Sequence, residues 1–377
     1  MTEEDDGDMG PNSVVRTGRS SEVTGGFVEM GSGTEFDLIR DLLAKVNPNI
    51  DSGADHMTDS GREEVGSRGV PRGLGESGVW LGAGDDAAVI DGGRLVLSSD
   101  LTVEDVHFRR TWVTFAETGA RAVTGAASDL AAMAAAPVAV LISLAVAPGE
   151  AQAVLSELGD GIRTALSSLG VPLVGGDLSA SPGPVIIDVT VVGRAEEPVT
   201  RRGARPGDEL WVTGVLGGSA GAVRAWRNGA EPDPSLRLAF VRPVARIAEA
   251  RWLADHVDVR AMIDLSDGLS GDARHLAAAS DVRIVLDSRL VPLHPGLEAE
   301  DGPSLAMSGG EDYELCFISP PDVARARADE FQERFGIGLT RVGHVEDGTG
   351  VEIVGSGDGR GDVDGGFDHF ASREESC

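Results

Sequence analysis

The stretch "VWLGAGDDAAVI", Val79–Ile90, reads as a strand, a glycine turn and a second strand, with Asp85 and Asp86 side by side in apolar surroundings. A carboxylate buried among apolar neighbours is costly unless something positive faces it. The pair therefore calls for a cationic partner, and the rest of the chain limits what that partner can be.

With 377 residues, 41% of them hydrophobic, the chain can bury a substantial core, and its length suits two globular domains. No repeat of 20 to 50 residues is visible. No run of 18 apolar residues is present, and the opening "MTEEDDGDMG" is acidic where a signal peptide would be basic, so a cytoplasmic protein with no membrane partner is expected. A net charge of -30 excludes a nucleic-acid backbone as partner. Most of that acidity reads as a soluble surface. The two cysteines, Cys316 in an apolar run and Cys377 at the end, make neither a disulfide framework nor a metal cluster. Lys45 is the only lysine. A phosphate-loop nucleotide site and the strand lysine of protein kinases are thereby ruled out. An ATP-using enzyme of this composition must meet phosphates with arginine, backbone N–H groups and carboxylate-held Mg²⁺.

Residues 1–33 lack periodicity and read as a disordered tail. A helix is expected from Thr34, which forms a capping-box pattern with Asp37 ahead of Phe36, Ile39, Leu43 and Val46. The polar, glycine-rich residues 48–78 read as a mobile loop. Beyond it, "RLVLSSD" (94–100) reads as a strand and "GARAVTGAASDLAAMAAAP" (119–137) as an alanine-rich helix stopped at Pro137. "VLISLAVAP" (140–148) is a strand; the helix after it has Val154, Leu158, Ile162 and Leu166 on one face and ends at Gly170. "VPLVGGD" and "VIIDVTVVG" follow as strands. A second block opens near Thr200 with strand "GDELWVTG", helices near 218–227 and 242–255, and strand "RAMIDLSD" leading into helix "GLSGDARHLAAAS". The fold class is α+β, built as two α/β domains spanning 34–198 and 199–377.

Against that pattern the aspartates fall into place. Asp86, Asp100, Asp177, Asp264 and Asp267 stand at or near the ends of apolar strands, and Asp129 sits on the small-residue helix. A single strand-terminal aspartate is usually a cap or turn residue. All of them together, in a chain so poor in lysine, point to a shared multivalent metal site, and hard oxygen donors without a Cys or His cluster indicate Mg²⁺ rather than zinc.

"GAGDDAAVI", "LVLSSDLTVEDVHF", "ASDLAAMAAAP", "LVGGDLS", "RRGARPGDELWVTG", "IDLSDGLSGDARHL" and "SGGEDYELCF" together resemble, in order, the motif series of thiamine-monophosphate kinases, within the superfamily of aminoimidazole ribonucleotide synthetase. The resemblance runs from about Gly82 to Phe370. It implies phosphorylation of thiamine monophosphate by ATP, giving thiamine diphosphate and ADP, with several Mg²⁺ ions. It further implies a homodimer whose N-terminal strands pair in a barrel. Carried over motif by motif, it makes Asp86, Ser98, Ser99, Asp100, Asp129, Asp177, Asp264 and Asp267 metal-binding, with Asp85 structural. Asp160, Gly176, Asp177, Arg201 and Ser266 become nucleotide contacts, Arg202 leaving the register of the doublet open. His107, Glu311 and Phe367 become substrate contacts. Ala126 departs from the family, which more often has a polar residue there.

The acceptor is itself a phosphate monoester with a second pKa of about 6, so it is largely a dianion at neutral pH and needs no general base. The work left to the protein is to bring two polyanions together. Plainer readings stand beside several of these residues. "GVLGGSAG" (214–221) suits a phosphate cradle and equally a tight turn into a helix; Glu311 could cap a turn, His107 could be structural, and Phe367 could be core. Two rivals remain open: another ATP-using member of the superfamily, and a catalytically inactive metal- or nucleotide-binding regulator.

Overall fold

The computed structural model describes residues 45, 79–81, 89–90, 94–298, 302–355 and 361–362. Strands β1 (Val79–Leu81) and β2 (Val89–Ile90) pair antiparallel, Val79 opposite Ile90, so the two ends of the opening stretch are the strands its pattern predicts. Asp85, Asp86, Phe367, Cys377, the expected tail 1–33, the loop 48–78 and, apart from Lys45, the helix expected from Thr34 lie outside the described residues.

The first layered unit runs β3 (Leu95–Val103), α1 (Phe115–Ala132), β4 (Ala136–Val146), α2 (Ala151–Leu169), β5 (Leu173–Ala180) and β6 (Ile186–Arg194). Its strands lie in the order β3-β6-β4-β5. Only β4 and β5 are parallel, because α2 carries the chain back across the sheet between them. Alternate residues Val96, Val140, Ile142, Leu144, Val189 and Val191 face α1 and α2, packing with Val123, Leu130, Leu158 and Ile162. The opposite face is covered only in part among the described residues: Ala139 and Val192 are buried there, while Leu97 and Leu101 of β3 are 63% and 49% exposed.

Helix α1 starts where its sequence says it should. Thr114 Oγ1 accepts from the Glu117 N–H at 3.2 Å, and Glu117 Oε2 accepts from the Thr114 N–H at 2.9 Å, a complete capping box. The expected end of α2 at Gly170 is found, with φ of 68°. The two helices cross closely because Gly161 has no side chain, and a Cβ there would sit 1.8 Å from the Ala116 carbonyl oxygen.

The second unit comprises β7 (Glu209–Thr213), α3 (Gly218–Arg227), α4 (Pro234–Val241), α5 (Ile247–His256), β8 (Ala261–Asp264), α6 (Leu269–Ser280), β9 (Arg283–Asp287), α7 (Gly302–Ser308), β10 (Leu315–Ser319), α8 (Ala328–Phe335), β11 (Leu339–Glu346), β12 (Gly350–Val354) and β13 (Gly361–Asp362). The sheet order is β13-β12-β9-β11-β7-β10-β8. Central strands β7 and β10 are buried along their whole length, which is why "ELWVT" and "LCFIS" read as near-continuous apolar runs. Leu276 and Ala277 of α6 cover one face with Val212 and Ile263; Trp252 and Leu253 of α5 and Phe331 of α8 cover the other with Trp211 and Phe317. Cys316 is buried in β10, and burial pushes its thiol far up, as expected of a core cysteine. Ala131 near the end of α1 belongs to this second core. α1 is therefore clamped between the two units. Arg237 of α4 adds a forked ion pair to Glu117, at 2.8 and 2.9 Å. No helix among the described residues is long and apolar enough to cross a membrane.

Candidate active site

Arg121, Gly125 and Asp129 recur every four residues on α1 and so lie along one stripe, spanning about 12 Å of helix rise. The stripe lines the seam between the two units. At its C-terminal end Asp129 accepts a hydrogen bond from Ser98 Oγ of β3. Asp100, two residues along β3, has its carboxyl pushed up by burial, by the charge of Asp129 and, less strongly, by that of Glu311. Asp264, the last residue of β8, is 4% exposed; burial first and Asp129 second push its carboxyl from 3.8 to about 7. A strand of one unit and the end of a strand of the other thus meet at one helical aspartate; β3 runs on to Val103, so Asp100 lies within its strand and not at the end that the sequence suggests.

Asp267 follows in the β8–α6 turn, its N–H donating to Asp272 Oδ2 at 3.1 Å. Oxygen or nitrogen atoms of Asp267, Asp272 and His275 come within 4.8 Å of one another. Asp272 is pushed to about 8, by burial and then by Asp264 and Asp267. Carboxylates crowded this way oppose one another's ionisation, and a divalent cation removes the conflict. The donors are hard oxygens with few competing cations, which suits Mg²⁺.

The loop "SGGEDYELCF" gives each of its acids a different partner. Glu311 pairs with Arg121 across the seam. Asp312 accepts from the N–H groups of Gly217 at 2.7 Å and Ser219 at 3.4 Å, so the N-terminus of α3 is capped by the protein's own carboxylate. That geometry matches the tight-turn reading of "GVLGGSAG". Burial pushes Asp312 to about 7 against those hydrogen bonds. Glu314 is buried with Arg246 and accepts from Thr213 Oγ1 at 2.6 Å. Between them, Glu311 and Tyr313 hold positive φ of 71° and 52°. Strain of this kind in residues with a Cβ is kept where the surroundings enforce it, and it gathers at functional sites. The Glu311 N–H to Ser266 O and Tyr313 N–H to Leu265 O bonds, both 2.9 Å, do the enforcing. Tyr313 places its phenol over Gly125, where a Cβ would be 2.9 Å from the phenol oxygen and 3.4 Å from Asp100 Oδ2. Burial raises the phenol, so it stays an O–H donor.

The remaining expected residues divide. Ser99 lies on the sheet face opposite Ser98 and hydrogen-bonds Asp188 at 2.8 Å and Thr190 at 3.1 Å; its hydroxyl is not brought to the carboxylates. The register sets Asp177 beside Ser143, and Leu178 beside the helix-facing Leu144. Asp177 therefore faces away from Asp129 and accepts from the Leu178 N–H at 2.9 Å. Its neighbour Gly176 is exposed on the same edge strand. Asp160 pairs with Lys45 at 2.8 Å and with Arg163. Of the Arg201–Arg202 doublet, Arg201 is the one whose charge acts on Asp264. His107 Nδ1 accepts from the Val103 N–H at 3.0 Å, which assigns the proton to Nε2. Ala126 is fully buried in the first core, a packing role rather than a polar one.

Arg121, Asp272 and Tyr313 were not anticipated. Arg121 had a signal, an arginine eight residues before Asp129 in an otherwise small-residue helix, and Asp272 is the third acid in "DLSDGLSGD". Tyr313 had none beyond being the only tyrosine.

Residues 84–195 match the family model "AIR synthase related protein, N-terminal domain" and residues 205–356 its C-terminal counterpart. The thiamine-monophosphate kinase of Rhodopirellula baltica is 35% identical over 290 residues, 72% of this chain and 85% of that one. The crystal structure of the thiamine-monophosphate kinase from Stenotrophomonas maltophilia K279a has a TM-score of 0.67 at 33% identity, covering 75% of this chain and 93% of that chain. A structure of AaThiL complexed with AMPPCP and TMP has a TM-score of 0.64 at 31% identity, covering 73% and 87%. Matched in both domains and along most of its relatives' length, the chain belongs to the thiamine-monophosphate kinase family of AIR synthase-related proteins.

Proposed function

We propose that this chain transfers the γ-phosphoryl group of ATP directly to the phosphate of thiamine monophosphate. The observation that carries the reading is the α1 stripe, which joins an acidic end at Asp129, Asp100 and Asp264 to the Glu311 end of the seam. A relative of this family has been solved complexed with AMPPCP and TMP.

Asp100, Asp129, Asp264 and Asp267, with Ser98 and with Asp86 from the opening motif, would hold Mg²⁺. Bound there, the metal neutralises phosphate charge and orients the reacting oxygens for in-line displacement. Ser98 fixes the Asp129 carboxylate by its hydroxyl. Arg201 supplies positive charge beside Asp264 for the nucleotide phosphates, with Ser266 as a further contact; Gly176, Asp177 and Asp160 are nucleotide contacts by family motif alone, since Asp177 faces away from Asp129 and Asp160 pairs with Lys45. His107, presenting Nε2–H, Glu311 and Phe367 serve the thiamine half, whose thiazolium ring is cationic. No residue is assigned as general base, since the attacking phosphate is already ionised. We read the enzyme as cytoplasmic. The boundary between its domains falls at 198–199, between the end of β6 and the start of β7.

We further read the exposed β3 part of the first sheet's outer face as the contact between two copies in a homodimer, supported by the exposure of Leu97 and Leu101. The activity is tested by ADP release with thiamine, thiamine monophosphate and aminoimidazole-pathway substrates side by side. Thiamine monophosphate should be used and thiamine hardly at all, because a missing charged group leaves the site's cationic partners unpaired. Use of thiamine within about tenfold of its monophosphate would overturn the acceptor assignment.

A further inference from the structure

Arg121 is 5% exposed on a helix of small residues, and its guanidinium is held from several sides. Nη1 donates to the main-chain oxygen of Phe240, Nη2 to Glu311, and Cζ lies 3.8 Å from the centre of the Phe240 ring. Such a fork is rigid, and lysine cannot reproduce it. The backbone of Glu311 is pinned separately: its N–H donates to Ser266 O, and its carbonyl accepts from Ser219 Oγ at 2.7 Å. These bonds fix where the residue starts and leave the carboxylate to be aimed by something else. Arg121 takes Oε2. Oε1 has no protein partner among the described residues, and the side chain keeps 28% exposure.

We propose that Arg121 is a positioning residue for substrate recognition, which locks Glu311 so that Oε1 is presented to the organic half of thiamine monophosphate. The inference rests on the reading of Glu311 as a substrate contact. A purely structural tie between the two units is a weaker account of the pair, because Glu117 and Arg237 already tie α1 to α4 with a forked ion pair one turn earlier. The stripe also separates the two ends of the substrate: Asp129 serves the phosphate end and Arg121 the far end, about 12 Å of helix rise apart.

The experiment measures KM for thiamine monophosphate and for ATP in Arg121→Met, Arg121→Lys, Glu311→Gln and the double variant Arg121→Met/Glu311→Gln. Arg121→Met should raise KM for thiamine monophosphate about tenfold or more and leave KM for ATP within about twofold. Arg121→Lys should raise the first by a smaller factor, about threefold to fivefold, since it keeps charge and loses the fork. Added to Glu311→Gln, the methionine substitution should change little further, because both act through one carboxylate. Multiplying effects in the double variant, equal rises in both KM values, or a wild-type KM for thiamine monophosphate in Arg121→Lys would each overturn the role of Arg121. An unchanged KM in Glu311→Gln alone would instead remove Glu311 from the substrate site, and this proposal with it. Should Arg121→Met fail to fold, Arg121→Lys with Glu311→Gln carries the same cycle.

Discussion

Replacing Asp129 with asparagine should make the metal-free protein more stable and the enzyme nearly inactive. The structural reason is the crowding of carboxylates at the end of α1. Asp264 is raised from 3.8 to about 7, a disfavoured ionisation of roughly 4 kcal/mol in all. Burial is the larger cause and survives the substitution; the charge of Asp129 is the second, so its removal should recover less than half, about 1–2 kcal/mol. The size of the gain depends on pH in a fixed direction. A carboxyl whose folded value exceeds its unfolded one binds extra protons in the folded state, so stability declines as pH rises from about 4 to about 7 and is level above that. Asp129→Asn should therefore outlast wild type in denaturant at pH 8 in the presence of a chelator and match it near pH 4. The amide retains an oxygen to accept from Ser98, so no hydrogen bond need be lost. With Mg²⁺ and ATP added, wild type should gain thermal stability and the variant should not. Turnover should drop by more than tenfold, roughly 1.4 kcal/mol of barrier. A variant that is less stable than wild type at pH 8, or that keeps more than a tenth of the activity, refutes the placement of Asp129 at a cation site.

Other expectations are more local. Glu314→Ala leaves Arg246 buried with only Glu249 beside it and takes the acceptor from Thr213, which should cost about 3–5 kcal/mol in the denaturation of the second unit; less than about 1 kcal/mol would count against the buried pair. Asp312→Asn keeps an oxygen on the α3 N-terminus and removes a carboxyl raised to about 7, so wild type should lose stability relative to the variant as pH climbs from 4 to 7, and a constant difference across that range would exclude the mechanism. Leu97→Asp puts a charge on the exposed β3 part of the sheet face; sedimentation at micromolar concentration should show a dimer for wild type and a monomer for the variant, and a monomeric wild type would sink the assembly.

Much of this site could be read along the chain, and the parts that could not share a physical cause. Asp100, Asp129 and Asp264 stand out because each interrupts apolar sequence, although only Asp264 closes its element and β3 runs on past Asp100 to Val103. What an element touches is another matter. Ser98 and Ser99 are neighbours in one motif, yet strand alternation sends their hydroxyls to opposite faces, and which face meets α1 is settled only by packing. Asp177 is turned away from Asp129 by the same rule, after a register shift in which Val140 and Leu141 of β4 face Leu173 and Gly175 of β5 with Val174 as the extra residue, which the sequence does not announce. Helix α4 had its start signal in Asp233 and Pro234, but eight residues are too few for a periodic pattern. The stripe on α1 was hidden for the opposite reason. A helix held between a sheet and a second unit is buried on nearly every side, so its hydrophobic period marks no face as special. The polar residues that survive in such a helix therefore carry the information, because each must be met by a partner. Asp129 is met by Ser98 and, in the proposed function, by metal; Arg121 is met by Glu311, 190 residues further on. A buried charge in a small-residue helix is thus a prediction that its counterpart lies in another part of the chain, and here that counterpart is Glu311, the residue proposed to meet the substrate.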